Sequence, residues 1–115
     1  MSKVLVIEDH DGYFRRINEE LNGKVEVLRA TTLEEGEDLF RRNTDIDLII
    51  MDACVPGDRP NSMSLVRKIV QAGFTKPIIA CSGLYEYREE LLNAGATHDA
   101  KKNKVAELAL EILNL

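Results

Sequence analysis

Short apolar runs alternate with helical patterns five times along the chain. Val4-Leu5-Val6-Ile7, Leu48-Ile49-Ile50-Met51 and Ile78-Ile79-Ala80-Cys81 are apolar at every position. A strand of that kind needs apolar surroundings on both faces, as in a parallel sheet covered by helices on each side. The pattern predicts strands over residues 3–7, 25–29, 48–51 and 78–81, and a weaker one within 96–100. The first predicted helix, 11–21, turns Phe14, Ile17 and Leu21 to the core and closes at Gly23. Thr32 stands three residues before Glu35, the spacing of a capping box, and opens a helix with Leu33, Leu39 and Phe40 inward. The third helix, 62–72, is expected to bury Leu65, Val66, Ile69 and Val70. The fourth, 86–94, is expected to bury Leu91 and Leu92 and to end before Gly95. The last runs from about residue 103 to the end.

Strict strand–helix alternation with short connections gives right-handed βαβ units. The predicted fold is α/β: a three-layer α/β/α sandwich of the flavodoxin-like (βα)5 type. Its five-stranded parallel sheet is expected in the order 2-1-3-4-5. One domain covers residues 1–115. The apolar content of 44% is enough for a core without metal or disulfide staples. A formal net charge of -5 disfavours nucleic acid and anionic membrane as direct partners. The two cysteines, Cys54 and Cys81, form no CxxC pair. They read as independent thiols in a reducing cytosol. No apolar stretch reaches spanning length and the start runs straight into a strand, so a cytoplasmic location is expected.

In that order the first and third strands are neighbours, and working groups collect at the carboxyl ends of such strands. Glu8 and Asp9 end the first strand and Asp52 ends the third. Three acids at one edge need a cation or a proton to offset their repulsion. Mg²⁺ (or Mn²⁺) suits them, because such ions take oxygen ligands and keep several waters. Asp9 and Asp52 are expected to bind the ion directly, Glu8 through water, and Cys54 through its backbone carbonyl. An aspartate beside the ion can be a nucleophile toward phosphorus. Phosphoryl transfer then needs positive charge and donors around the transferred oxygens. Ser82, after the fourth strand, and Lys102, after the fifth, supply a hydroxyl and an ammonium. Lys101 and Lys104 are rivals for the second role. His10 is expected to start the first helix rather than to bind metal.

These residues resemble the receiver domain of two-component response regulators over nearly the whole chain. The resemblance rests on four stretches in order: Val4 to Asp9, Leu48 to Gly57, Ile78 to Gly83, and Ala94-Gly95-Ala96 followed by Lys102. It implies that Asp52 takes a phosphoryl group from a sensor histidine kinase, a phosphotransfer protein or a small donor such as acetyl phosphate. The domain would be a switch in a phosphorelay rather than a turnover enzyme. Its output would be a changed face formed by the fourth helix, fifth strand and fifth helix, binding a partner or a second copy. The chain departs from the family pattern in four places. Asp99 stands where an aromatic is usual, and Asn103 where a proline follows the lysine. Cys54 replaces a more typical polar residue. The loop Asp58-Arg59-Pro60-Asn61 is about two residues longer than the common pattern.

A binding module that works without phosphorylation is the alternative. Asp99 and Asn103 favour it; Glu8, Asp9, Asp52 and Ser82 oppose it. An aspartate-nucleophile phosphatase would want a second acid at position 54, which is Cys. A flavin binder would want a Ser/Thr/Gly-rich loop after the first strand. On the output face, Tyr85 and Tyr87 read equally well as partner contacts or as a cover for apolar surface. The fifth helix carries two apolar stripes. Val105, Leu108, Ala109 and Ile112 are expected in the core. Ala106, Leu110 and Leu113 are expected to face solvent, as ordinary surface or as a docking stripe.

Overall fold

The computed structural model describes all residues, 1–115. Ten elements alternate: β1 (Lys3–Ile7), α1 (Asp11–Leu21), β2 (Glu26–Ala30), α2 (Leu33–Arg42), β3 (Leu48–Asp52), α3 (Met63–Gln71), β4 (Ile78–Cys81), α4 (Tyr85–Ala94), β5 (His98–Ala100) and α5 (Val105–Ile112). All strand pairs are parallel, and the sheet order is β2-β1-β3-β4-β5. This is the flavodoxin-like fold expected from the alternation.

The continuous apolar runs are explained by strand parity, since successive side chains point to opposite faces. Leu5, Ile7, Ile49, Met51, Ile78 and Ala80 face a core shared with α3 and α4 and edged by α2. Val4, Val6, Leu48, Ile50, Ile79 and Cys81 face a second core with Ile17 and Leu21 of α1 and Val105 and Ala109 of α5. One sheet thus separates two cores, and every position of its central strands except Lys3 is buried.

The helix starts are fixed by local chemistry. Thr32 accepts a bond from the Glu35 N–H at 3.0 Å, as the capping box predicts. Glu35 reaches back one residue further, to the Thr31 N–H at 2.8 Å. His10 caps α1 by accepting from the Tyr13 N–H through Nδ1 at 3.2 Å. Gly23, with φ of 81°, takes the left-handed position that closes the helix.

Burial differs from expectation at four of these positions. Val70 is 40% exposed rather than core. Ala106 and Leu110 are buried rather than solvent-facing, and Leu113 is half-buried. The reason is that α5 packs on the sheet beside α1, with Ala106 and Leu110 at the seam between the two helices, while Leu108 and Ile112 of the other stripe are half-buried. No helix is long and apolar enough to cross a membrane.

Candidate functional site

Register brings the acids together. Ile7 pairs with Met51, so Glu8 stands level with Asp52 at the carboxyl end of the sheet. Both follow residues that face the α1/α5 side, Val6 and Ile50, and so share that side. Asp9 comes one residue later on the loop into α1. One carboxylate oxygen from each of Glu8, Asp9 and Asp52 lies within 4.8 Å of the others. Glu8 and Asp52 are 1% and 5% exposed, a placement that carboxylates rarely take without a compensating charge.

Lys102 provides one. Two residues beyond β5, it reaches back so that Nζ bonds Glu8 Oε1 and lies 3.0 Å from Asp52 Oδ1. Lys101 is exposed, and Lys104 pairs with Glu107 on the surface. Lys102 is also seated over the Tyr13 ring, 4.7 Å from its centroid, a cation–π contact that sequence reasoning missed. Tyr13 in turn packs on His10, with ring centroids 4.6 Å apart. His10 therefore starts the helix at the rim of the site and is not among the clustered acids.

Three carboxylates against one ammonium leave excess negative charge. Burial pushes the Asp52 carboxyl up to about 7; the Lys102 charge opposes this and the Glu8 charge adds to it. Burial alone would pull Lys102 down, but the Asp52 charge and the Glu8 bond outweigh it and hold the ammonium above its usual range. The remaining imbalance and the all-oxygen donor set fit a hard divalent cation.

Beyond the acids, Ser82 follows β4, whose last pair joins Cys81 to Asp52. The Ser82 hydroxyl accepts from the Leu84 N–H at 3.2 Å, which leaves its own proton free to point into the cavity. That cavity is about 240 Å³ and is lined by Glu8, Asp9, Asp52, Cys54, Ser82 and Lys102, with His10, Tyr13 and Tyr87 at its walls. Cofactor-sized ligands occupy roughly 300–1,000 Å³, so the space suits an ion and a phosphoryl-sized group rather than a flavin. Larger open grooves lie elsewhere. The one between α1 and α5 is lined mainly by glutamates, and the one at the opposite end of the sheet gathers no acid cluster.

The response regulator receiver domain family matches residues 4–112. The chain belongs to that family. A two-component response regulator from Clostridium difficile superposes with a TM-score of 0.81 at 21% identity, covering 99% of this chain and 97% of that one. A response regulator receiver domain protein from Clostridium thermocellum gives 0.78 at 27% identity, covering 99% and 93%. A chemotaxis protein of Vibrio cholerae gives 0.79 at 24% identity, covering 99% and 97%. A search of curated protein sequences returned no match. As a receiver domain the chain is a signalling module of two-component systems, whose general partner is a histidine kinase.

The departures from the family pattern each have a structural outcome. Asp99 faces α4 and accepts from Arg88 Nε at 2.8 Å. Arg88, 9% exposed, also donates from Nη1 to the Ser82 carbonyl at 2.9 Å. The peptide bond before Asn103 is trans, and the cis bond of the chain is Val55–Pro56. The lengthened loop is pinned by Asn61. Its side chain accepts from the Val55 N–H and donates to the Val55 carbonyl, both at 2.8 Å. Ser62, fully buried, donates to the Asp52 carbonyl at 2.6 Å, with the Ala53 carbonyl at 3.1 Å. Ser62→Ala leaves that buried carbonyl without its donor, and a loss of about 1–2 kcal/mol is expected in urea unfolding. An unchanged midpoint would show that the contact contributes nothing.

Cys54 packs at the edge of the α3/α4 core and Cys81 lies in the α1/α5 core, on opposite faces of the sheet. Burial pushes the Cys54 thiol up, with the Asp52 charge adding to it, and pushes Cys81 up to about 12. Both are free thiols. On the anticipated output face, Tyr85 is 56% exposed beside Leu84 at 51%, while Tyr87 is half-buried against the core.

Proposed function

We propose that this receiver domain is a phosphorylation switch in which Asp52 accepts a phosphoryl group from a histidine kinase, a phosphotransfer protein or a small acyl phosphate. The observation that carries this reading is the convergence of Asp52, two further acids and Lys102 on one small cavity. Mg²⁺ or Mn²⁺ is the cofactor that the donor set suits, with Asp9, Asp52 and the Cys54 carbonyl as ligands and Glu8 through water. When bound, the ion would draw charge from the phosphoryl oxygens. Every other role falls to the chain.

Asp52 Oδ1 is held by Lys102 at 3.0 Å and by the Cys54 N–H at 3.3 Å, which leaves Oδ2 to form the bond to phosphorus. The donor's own bond to phosphorus breaks as it forms, and the product is an acyl phosphate. Attack needs the ionised carboxylate, so the positive charge of Lys102 keeps Asp52 from remaining protonated in its buried setting. The Ser82 hydroxyl and the Lys102 ammonium are the donors for the transferred oxygens. The phosphorylated site would alter the α4–β5–α5 face. Exposed Leu84 and Tyr85 are the residues there available to a partner or a second copy. A cytoplasmic setting follows from a kinase donor and two free thiols.

The binding-module alternative rests on Asp99 and Asn103. Asp99 is engaged by Arg88, and Lys102 reaches the acids although Asn103 follows it. Intact-mass measurement after incubation with acetyl phosphate and Mg²⁺ tests the proposal. The expected result is a gain of one phosphoryl group, lost again in hydroxylamine. No gain under conditions that label another receiver domain would favour the binding module. Magnesium affinity, followed by calorimetric titration, is expected to fall about tenfold or more in Asp9→Asn. Unchanged affinity would remove Asp9 from the ligand set.

A further inference from the structure

We infer that Arg88, anchored by Asp99, is a positioning residue for Ser82 in phosphoryl transfer to Asp52. The inference rests on the function proposed above and adds two residues to its machinery.

Ser82 is the first residue past β4. Its N–H still donates to the Ala100 carbonyl at 3.3 Å, but β5 ends at Ala100, so no strand N–H meets the Ser82 carbonyl. A buried carbonyl without a donor is costly. Arg88 Nη1 takes the missing place at 2.9 Å. Its Nε is fixed by Asp99 Oδ2 at 2.8 Å, and its guanidinium lies 5.6 Å from the Tyr85 ring centroid. The planar fork thus has two hydrogen-bonded partners and one flat neighbour, which leaves it one orientation.

That orientation sets the plane of the Ser82 peptide and, through it, the direction of the hydroxyl lining the Asp52 cavity. The pair joins a buried arginine to a half-buried aspartate, and such a pair held only for stability gains little, because desolvation of the arginine offsets the attraction. This pair directs one arm of its cation to the backbone of the very residue that donates into the site. Lysine at position 88 could still pair with Asp99. It has no second arm at a fixed angle for the Ser82 carbonyl.

A double-mutant cycle separates positioning from mere support. The rate of phosphoryl gain from acetyl phosphate with Mg²⁺ is measured for the full chain, Arg88→Lys, Ser82→Ala and the double variant. Melting curves confirm that each is folded. Arg88→Lys is expected to slow labelling about fivefold in the Ser82 background and less than about twofold in the Ser82→Ala background. Asp99→Asn, which keeps an oxygen for Nε but not the charge, is expected to slow labelling in the same Ser82-dependent way, by a smaller factor. It supplies the answer if Arg88→Lys does not fold. Equal slowing in both backgrounds would overturn the inference and leave Arg88 a structural support, and no slowing in either would overturn it outright. Failure of the unmodified chain to label would instead overturn the proposed function, and the positioning role with it.

Discussion

Alanine in place of Lys102 should cost about 3–5 kcal/mol of stability in metal-free buffer near pH 8, measured by urea unfolding. Lys102 is the cation that meets both buried acids, Glu8 and Asp52. Removing it leaves two carboxylates out of water with no partner charge. Its folded-state affinity for a proton is raised. A raised lysine contributes its full stabilisation below the ordinary lysine range and loses it only as pH climbs beyond that range, so near neutrality all of it is at stake. The deficit should shrink at acid pH, where Asp52 takes up a proton, and added Mg²⁺ should restore part of it. The same variant should take up phosphoryl groups about 10²-fold more slowly or worse, as expected when a charged donor to transferring oxygens is removed. A variant as stable and as quickly labelled as the parent would mean that the ion pairs are idle.

Asp52→Asn should do the reverse to stability while abolishing labelling. Burial raises the Asp52 carboxyl from 3.8 to about 7. A carboxyl with a raised folded value holds its proton in the folded protein after the unfolded chain has released it. Stability therefore falls as pH rises between those two values, and the full penalty is present above about pH 7. Asparagine resembles the protonated form and removes the penalty. The expected gain is on the order of 2–4 kcal/mol above about pH 7 and near zero around pH 4, in metal-free buffer. Magnesium should narrow the gap by stabilising the parent. A variant no more stable than the parent at high pH would show that Asp52 carries no unfavourable charge, and labelling of the variant would place the acceptor elsewhere.

Much of this site could be read before any coordinates. Parity and continuity of the apolar runs fix β1, β3 and β4, and with the sheet order they fix the meeting of Glu8 with Asp52. The N-terminal end of α1 and the Thr32 cap were equally legible, because capping chemistry is local. What was lost lay in contacts across elements. The second stripe of α5 looks solvent-facing from periodicity, since nothing in eight residues tells that α1 lies over it. Tyr13 gives no sign of its neighbour, which arrives from 89 residues further along the chain (102 − 13). Arg88 left a fainter trace. It stands three residues before Leu91, on the buried side of α4, and Asp99 is an acid on the inner side of a short strand. An inward acid on a strand and an inward base on the covering helix are a pair waiting to be matched. Asp99 instead draws notice first by the aromatic it replaces.

The two thiols sit in different halves of the interior, and only Cys54 opens onto a cavity. A maleimide applied to the native protein would mark that sulfur and leave Cys81 untouched. An adduct there would stand in a cavity of about 240 Å³, two residues from the proposed acceptor, so alkylation of the unaltered chain should itself shut off phosphoryl gain.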